Sequence, residues 1–333
     1  SNGTTFWHTG SIDQVRIYNT ELTQANVTTL YEEQLDSNIS ISGLVAHYDM
    51  EGDADDESGS ATTYNGSLSN VTFTQDKPYG NIDVGFAPDL VWLKSRVDTQ
   101  QHILFDTVRG AGDHGLISNL TLSESQVSAA ANGNVSRFDA NGISLNLGTN
   151  NNPDNNYVND TSNGGSYIAW AWKAGGKAVE NTGGTIASQV SANQDAGFSI
   201  VSYVGNSSTN QTIGHGLSST PELIFIKNRD DSTAEWLAAG KDINLYMNLS
   251  RDVADPPSSS YTWITNRGAD TFTVGSQRKE INQANEKFIA YCFHSVDGFS
   301  KIGSYAANSS TDGPFVYTGF KPAFILIKNA DSP

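Results

Sequence analysis

Acidic residues occupy alternate positions of the segment EGDADDE, residues 51–57, and on a strand they would share one face. Two carboxylates held about 5–9 Å apart are what glycoside hydrolysis needs, one as the acid and one as the nucleophile or base. The intervening Gly52 and Ala54 offer no apolar underside to such a strand, and like charges along it would repel one another. We therefore favour a solvated turn, and a glycan-degrading enzyme is the weakest of three functional hypotheses.

Other arrangements that carry chemistry are missing from the sequence. The histidines show no H-E-x-x-H spacing, and neither a G-x-S-x-G elbow nor a phosphate-binding loop is present. Asp106 and Arg109 in FDTVRGAG are spaced to form an ion pair within a local turn, for which we expect a structural role. Cys292, the single cysteine, is predicted to be a small buried residue rather than a reactive thiol. The sequence therefore predicts a protein that is not an enzyme.

The charge balance argues against nucleic acid as a partner. Among 333 residues, 36 are acidic and 19 are lysine or arginine, and the basic residues are not clustered as phosphate binding requires. No apolar run approaches the roughly 18–20 residues of a membrane span. The opening SNGTTFWHTG has neither the basic nor the apolar region of a secretory signal. We expect no membrane span and a polar surface with an acidic bias.

One short motif occurs three times, and each occurrence begins with proline and reaches lysine six residues later. The occurrences are PDLVWLKS at 88–95, PELIFIKN at 221–228 and PAFILIKN at 322–329, with spacings of 133 and 101 residues. Other stretches recur in the same order. GFSIVSYVGNSST at 197–209 returns as GFSKIGSYAANSST at 298–311, and YIAWAW at 167–172 returns as FIAYCF at 288–293. Self-similarity of this kind indicates a repeated structural unit.

The recurring stretches have the patterns of strands. The five residues between proline and lysine are mainly apolar on both faces, as in a central strand that is covered on both sides. The lysine is predicted to mark the solvated end of this strand. YIAWAW and FIAYCF alternate large with small residues, so that bulky and small side chains lie on opposite faces. With the turn-rich stretches between them, these patterns predict an all-β protein of tandem β-sandwich modules. A partial apolar stripe behind Thr20 predicts one helix within residues 20–35.

The repeats also predict how the modules relate to one another. Lys94 should occupy the place of Lys227, and Trp170 the place of Tyr291. We expect each module to bury its own core and to need little from its neighbours. The glycine-rich stretch KAGGKAVENTGG, residues 173–184, is expected to be a flexible joint.

The N-terminal part resembles the laminin-G-like, concanavalin A-like jelly rolls. GSIDQVRIYNTELTQANVTTLYEE, residues 10–33, resembles the closing segment of that fold, where a core strand leads into a short helix and then "LY". LVAHYDMEGDADDESGSATTYNGSL, residues 44–68, resembles the opening of another such domain. The resemblance implies a partial concanavalin A-like jelly roll at the N-terminus.

The repeated part resembles an uncharacterised domain of structural proteins from marine and other environmental bacteriophages. The stretches that carry this resemblance are GFAPDLVWLKSR (85–96), HILFDTVRGAG (102–112), YIAWAWKAGG (167–176), AGFSIVSYVG (196–205) and GFSKIGSYAANSSTDGPFVYTGFKPAFILIKNADS (298–332). The resemblance implies a setting, the virion surface, rather than a mechanism.

These likenesses divide the chain into five segments. Residues 1–43 are predicted to be the C-terminal part of a laminin-G-like jelly roll and 44–70 the truncated start of a second one. Residues 71–177 and 178–297 are predicted to be β-sandwich repeats, and 298–333 the start of an incomplete third repeat. We expect the natural polypeptide to be longer at both ends.

The jelly-roll resemblance also implies a metal site. Asp56 matches the aspartate of the family's D-x-S-G turn, and Asp13 matches the aspartate of its I-D-x-V-R-I-Y strand. In the family these residues help to hold a structural Ca²⁺, a cation that prefers several oxygen ligands on loops. Here they come from two different domains, so a solvated acidic loop is the alternative.

Composition and resemblance together favour a non-enzymatic bacteriophage virion-surface structural protein: a tail fibre, an appendage or a capsid decoration. Its expected partners are other virion proteins and a host-surface glycan, and we expect a homo-oligomer, a trimer if the protein is a fibre. The alternative is a secreted or cell-surface bacterial adhesin that binds carbohydrate. Trp236 and Trp263 lie in weaker patterns and are open to sugar stacking. The expected location is the virion surface or the extracellular space.

Overall fold

The computed structural model describes residues 15–32, 41–48, 65, 82–97, 99–127, 129–147, 158–159, 166–240, 246–249, 263–275 and 278–329. The chain divides into two compact units, residues 1–79 and 80–333. Strands dominate the described residues of the second unit, and its sheets are antiparallel, which confirms the predicted all-β sandwich class.

The described residues of the first unit form a two-stranded sheet and a helix. Strand β1 (Val15–Tyr18) pairs antiparallel with β2 (Leu44–Tyr48), and helix α1 (Gln24–Glu32) lies between them in sequence. The helix begins later than the predicted cap at Thr20. Thr23 is the cap instead, because its hydroxyl accepts a hydrogen bond from the Asn26 amide while the Asn26 side chain accepts one from the Thr23 amide.

The second unit opens with a four-stranded and a three-stranded sheet, which we call the first main sheet and the first side sheet. The main sheet has the order β6-β5-β4-β9 and the side sheet the order β3-β8-β7. Two short helices, α2 (Glu124–Val127) and α3 (Ala129–Asn132), lie between β6 and β7. The strands are β3 (Ile82–Asp83), β4 (Leu90–Ser95), β5 (Ile103–Asp106), β6 (Leu116–Ile117), β7 (Asn134–Phe138), β8 (Gly142–Asn146) and β9 (Tyr167–Trp172).

A second main sheet and a second side sheet follow in the same unit. The main sheet has the order β10-β11-β12-β19-β14-β15-β16, and the side sheet has the order β13-β18-β17. The strands are β10 (Val179–Asn181), β11 (Ser188–Asn193), β12 (Phe198–Val204), β13 (Gln211–Gly214), β14 (Leu223–Asn228), β15 (Leu237–Gly240), β16 (Tyr246–Asn248), β17 (Ile264–Arg267), β18 (Thr271–Val274) and β19 (Lys287–Phe293).

Strands β3–β9 and β13–β19 have the same connectivity, and we call them the first and second copies. In each copy the lysine-motif strand pairs on one side with the aromatic strand that closes the copy. Lys94 lies opposite Ile168, and Lys227 lies opposite Ile289. The register therefore agrees with the equivalence that the motif predicts. Trp170, opposite Trp92, likewise occupies the place of Tyr291, opposite Phe225.

Three hydrophobic clusters show that the two copies stack as four layers. One cluster fills each sandwich, between a main sheet and its own side sheet. The third, which we call the inter-copy cluster, lies between the two main sheets. Its buried members are Leu90, Trp92, Leu104, Leu116, Ala174, Phe198, Ile200, Phe225, Trp236, Ala238, Ile289 and Tyr291.

The stacking contradicts the expectation that each module buries its core alone. The small residues of the aromatic strands, such as Ala171 and Cys292, face the side sheet of their own copy. The bulky residues on the opposite face, such as Trp170 and Tyr291, face the other copy. The alternation of large and small was predicted correctly, but the large face is the one that the copies share.

The glycine-rich stretch 173–184 is not a flexible joint. Its residues 179–181 form β10, which pairs with β11 and so belongs to the second main sheet. A Cβ on Gly175 would lie 2.5 Å from the Ala192 carbonyl oxygen, and one on Gly184 would lie 2.3 Å from that of Thr212. These glycines allow two backbones to approach closely, so the stretch is held by contacts along its length.

The third occurrence of the motif has a different structure from the first two. Ile224 and Ile226 are fully buried in β14, whereas their counterparts Ile325 and Ile327 are 66% and 64% exposed. No strand is formed within residues 298–329. The ring of Phe324 instead contacts Trp170 and Trp172 of β9, with 5.7 Å between ring centroids in both cases.

The shared inter-copy cluster predicts that the two copies unfold together. Trp236 is 1% exposed in this cluster, so Trp236→Ala should destabilise the chain by about 3–5 kcal/mol. Hydrogen exchange followed by mass spectrometry should show faster exchange in both β4 and β14. Val179→Ala, at an exposed position, is the matched control and should change stability by less than about 0.5 kcal/mol. Faster exchange confined to the second copy would contradict a shared core.

Candidate functional site

The acidic residue after the motif proline has the same task in both copies. Asp89 accepts a hydrogen bond from the Ala174 amide at 2.8 Å, and Glu222 accepts one from the Ser295 amide at 2.8 Å. Each of these amides lies two residues beyond the aromatic strand that pairs with the motif strand. The carboxylate thus fixes the turn that follows that strand. In the third occurrence the corresponding residue is Ala323, which has no such acceptor.

The most buried ion pair in the described part of the second unit is formed by Asp106 and Arg109. Arg109 Nε lies 2.5 Å from Asp106 Oδ2, and both side chains are fully shielded from solvent. Asp106 Oδ1 also accepts hydrogen bonds from the backbone amides of Val108 and Arg109. The ion pair within a local turn was predicted from FDTVRGAG, and the structure confirms it.

Tyr291 brings the second copy into this site. Its hydroxyl donates to Asp106 Oδ2 at 2.7 Å, and Arg109 Nη2 donates to the same hydroxyl at 3.3 Å. The Tyr291 ring stacks on Trp236, whose indole donates to the Ile117 carbonyl of the first copy at 2.8 Å. We call Asp106, Arg109 and Tyr291 the buried link. It joins the two copies at the centre of the inter-copy cluster.

A second set of charged side chains adjoins the buried link. Glu124 receives Arg109 Nη1 on one carboxylate oxygen at 3.2 Å and Arg229 Nη2 on the other at 2.7 Å. Arg229 directly follows the second motif in sequence, whereas Glu124 begins helix α2 after the first copy's main sheet. Glu124 therefore bridges one arginine from each copy.

Lys227, the motif lysine of the second copy, is buried rather than placed at a wet strand end. Its Nζ donates to the Thr121 carbonyl of the first copy at 2.9 Å and to the Ala234 carbonyl at 2.8 Å. Its counterpart Lys94 is half-buried and donates to the neighbouring Ser95 carbonyl. The prediction of a solvated lysine fails at Lys227 because the first copy covers that strand end.

The environment shifts the pKa of several of these groups. Burial lowers the pKa of Lys227 to about 8, although the nearby Asp231 and Glu235 oppose the shift. Burial also acts to lower the pKa of Arg109, but Asp106, Tyr291 and Glu124 outweigh it and raise that pKa, so the guanidinium stays charged. Burial raises the pKa of Tyr291, and Asp106 adds to the effect, so the phenol stays neutral and donates.

Two further titratable groups are held in a fixed state. The His215 ring accepts a hydrogen bond from the Leu217 amide and lies 3.2 Å from the Gly268 carbonyl, and burial lowers its pKa. This places the proton on Nε2 and favours the neutral ring. Burial raises the pKa of Cys292 to about 12, so the thiol is protonated at neutral pH. The prediction that Cys292 is a small buried residue is confirmed.

The residues of the predicted metal site, Asp13 and Asp56, lie outside the described residues, as does the acidic run 51–57. Among the residues that the structure does describe, no group of three or more histidine, cysteine or acidic side chains is placed to hold a metal ion. Trp236 is buried in the inter-copy cluster and Trp263 packs against the core of the second copy, with the Arg278 guanidinium 5.1 Å from its ring centroid.

Sequence reasoning missed the participation of Tyr291, Lys227 and Glu124. Tyr291 and Asp106 are 185 residues apart, and nothing local in the sequence marks them as partners. One signal was available. The second copy places a tyrosine where the first copy has Trp170, and a buried tyrosine hydroxyl needs a hydrogen-bond partner.

The fold and the buried link define a pair of antiparallel β-sandwiches fused face to face through a hydrophobic and ionic contact. Residues 60–333 match the family described as "Domain of unknown function (DUF7483)", and the chain belongs to that family. No curated protein and no solved structure matches the chain. Within the described residues, no helix has the length and apolar character to cross a membrane.

The buried link should carry more stability than an exposed ion pair. Asp106→Ala leaves the Arg109 charge buried without its carboxylate, and should lower the free energy of unfolding by about 3–5 kcal/mol. Tyr291→Phe removes the hydrogen bond to the Asp106 carboxylate and the longer one from Arg109, and should cost about 1.5–3 kcal/mol. Urea unfolding of both variants and of the double variant gives their coupling energy.

The control for the buried link is the Arg137–Asp139 pair, in which the arginine side chain is 54% exposed. Arg137→Met should cost no more than about 1 kcal/mol, because solvent screens the arginine charge and the buried Asp139 carboxylate keeps its hydrogen bond from the Ser144 hydroxyl. Equal costs for Asp106→Ala and Arg137→Met, or additive effects of Asp106→Ala and Tyr291→Phe, would contradict the assigned role of the link.

Lys227 should make stability depend on pH above neutrality. Its pKa is about 8 in the folded chain and 10.5 in the unfolded one, so between these values the unfolded chain binds more protons. Stability should therefore rise with pH from about 8 to 10.5, at up to about 1.4 kcal/mol per pH unit. Lys227→Met should remove this rise, whereas Lys287→Met, at an exposed position, should retain it. A parallel pH profile for Lys227→Met and the unmodified chain would disprove the assignment.

Proposed function

We propose that this chain is a non-enzymatic structural protein on the surface of a bacteriophage virion, as a tail fibre, an appendage or a capsid decoration. The observation that carries the proposal is the buried link. It commits Asp106, Arg109 and Tyr291 to holding two sandwiches together. The charged groups of the neighbouring Lys227 and Arg229 likewise form contacts between the copies. Such an arrangement serves a rigid block rather than a cleft that opens to substrate.

The layered architecture supports a role in which the chain resists deformation. Four sheets are packed through three continuous clusters, so bending the pair of copies would open apolar surface to water. The ionic side chains between the copies fix the register of that packing, since a small shift would leave a buried charge unpaired. A virion component has to keep its shape outside the cell, and this construction suits it.

The virion setting is supported by the resemblance of the repeated stretches, among them GFAPDLVWLKSR and AGFSIVSYVG, to structural proteins of environmental bacteriophages. In this setting the chain works with other virion proteins and as a homo-oligomer, a trimer in a fibre. The N-terminal segments that resemble laminin-G-like jelly rolls are the natural place for attachment to a host-surface glycan. Ca²⁺ held by Asp13 or Asp56 would belong to those segments.

The proposal predicts that the protein is part of the particle. Antibodies raised against the purified chain should label intact virions in electron micrographs of the source sample, and the same particles, purified on a density gradient, should yield its peptides by mass spectrometry. Antibody absorbed with the purified chain is the control and should not label. Labelling confined to bacterial envelopes would instead support the carbohydrate-binding adhesin.

A further inference from the structure

The ammonium group of Lys227 is surrounded by main-chain carbonyl oxygens. The side chain is fully buried, and its Nζ donates to the carbonyls of Ala234 at 2.8 Å, Thr121 at 2.9 Å and Asp231 at 3.4 Å. Among the described residues, no carboxylate lies within ion-pair distance of this ammonium. An ammonium group has three donors and no acceptor, so the three carbonyls use its full capacity.

The three carbonyl oxygens, which we call the carbonyl site, come from both copies. Thr121 lies between β6 and α2 of the first copy, whereas Asp231 and Ala234 lie between β14 and β15 of the second. Oxygens that converge on one point carry like partial charges and repel one another unless a cation or several donors lie between them. A hydroxyl offers one donor and an amide offers two. The arrangement therefore suits a positively charged group with three donors.

The loop that supplies two of these oxygens is held in place by contacts that do not involve the motif lysine. The Asn228 side-chain oxygen accepts hydrogen bonds from the amides of Asp230 and Asp231. Asp231 Oδ1 accepts one from the Thr233 amide, and Lys279 Nζ donates to the Thr233 carbonyl at 2.8 Å. These contacts preorganise the loop, so its carbonyl oxygens should keep their positions when the lysine side chain is removed.

The surrounding side chains add negative charge near the carbonyl site. Glu235 and Glu280 are only 6% and 7% exposed. Burial is the largest influence on Lys227 and lowers its pKa, whereas Asp231, Glu235 and Glu280 act to raise it, and Lys279 adds to the lowering. A buried carboxylate is strongly destabilising unless a cation lies nearby. The electrostatic surroundings therefore favour a positive charge at this point, in addition to the hydrogen bonds.

We propose that the carbonyl site is a binding site for a primary ammonium ion, which the chain fills with its own lysine. The site recognises the charge and the three N–H donors, and the alkyl chain of Lys227 serves as a tether. When this side chain is shortened, a free alkylammonium ion of matching length takes its place and restores the contact between the copies. The inference concerns the pairing of the copies and holds whether or not the protein belongs to a virion.

The test uses the full chain with the substitution Lys227→Ala. Alanine keeps Cβ, so the atoms that are lost correspond to n-propylammonium, which is a cation at neutral pH. The variant should unfold at a lower urea concentration than the unmodified chain, because three buried carbonyls lose their donors. n-Propylammonium should raise the urea midpoint in a saturable manner and recover about half of the loss or more. Hydrogen exchange should slow at the amides of residues 229–236 when the ion is bound.

Three other small molecules separate the features that the site recognises, all at equal ionic strength. 1-Propanol has a similar size but no charge, and tetramethylammonium has a charge but no N–H donor, so neither should restore the midpoint. The ammonium ion without an alkyl chain should act more weakly, because part of the cavity stays empty.

Two matched variants control for general effects of the amine. Ile226→Ala removes a fully buried apolar side chain from the neighbouring position, and Lys287→Ala removes an exposed lysine. n-Propylammonium should leave the urea midpoint of both variants unchanged, since neither substitution alters the carbonyl site.

Several results would overturn the proposal. An unchanged or higher urea midpoint for Lys227→Met at neutral pH would show that no ammonium group is needed. Equal recovery of Lys227→Ala by 1-propanol would make the site apolar rather than specific for a cation. If Lys227→Ala is unfolded without the amine, recovery of its native circular dichroism with n-propylammonium supports the proposal. The absence of any recovery at concentrations on the order of hundreds of millimolar contradicts it.

Discussion

The carboxylate of Asp106 is the group on which the pairing of the two copies depends. It is fully buried, and burying a charged carboxylate is strongly destabilising unless its oxygen atoms accept hydrogen bonds. The structure supplies the Arg109 guanidinium, two backbone amides and the Tyr291 hydroxyl. The first three come from the first copy, so the site is nearly complete before the second copy arrives. The Tyr291 hydroxyl donates the last hydrogen bond to the carboxylate. This contact stabilises one alignment of the two copies relative to slightly shifted alignments.

Hydrophobic packing alone would specify that alignment less sharply. The inter-copy cluster is built of aromatic and aliphatic side chains, and the hydrophobic attraction between them has no preferred direction. Directional contacts at three places remove this freedom. They are the Tyr291 hydroxyl on Asp106, the Trp236 indole on the Ile117 carbonyl, and the Lys227 ammonium on the Thr121 carbonyl. Three separated points fix a rigid body, so the two sheets have one relative position.

Local features of this structure were predictable from sequence, and contacts between copies were not. The strands β4, β9, β14 and β19, their register and the Asp106–Arg109 turn follow from short patterns, since each depends on neighbours that the repeat itself defines. The face of a strand that contacts the other copy cannot be predicted in this way, because the alternation of residues identifies two faces but does not show what covers each of them. The motif lysines show this limit of sequence-based prediction, since Lys227 is fully buried whereas the equivalent Lys94 is half-buried. The third motif shows it again, because a strand needs partners as well as propensity.

Glycine also has a different meaning here from the one its frequency suggests. In 173–184 it marks close backbone contact, not freedom. A side chain at Gly175 or Gly184 would collide with a neighbouring backbone and push apart strands that this stretch now holds together. A glycine-rich stretch in a sequence can therefore be either a flexible linker or a place where two backbones pack closely. The position of the neighbouring backbone decides which of the two it is.

The contact between the main sheets has a property that concerns the number of copies. Equivalent positions of the two copies belong to this one cluster: Leu90 and Leu223, Trp92 and Phe225, and Trp170 and Tyr291. A surface that binds its own counterpart is consumed by one pairing, as in an isologous dimer, and cannot propagate. The other face of each main sheet is already covered by a side sheet. The association of the two described copies is therefore binary, and Phe324 occupies the part of the first copy's face that Trp170 and Trp172 form.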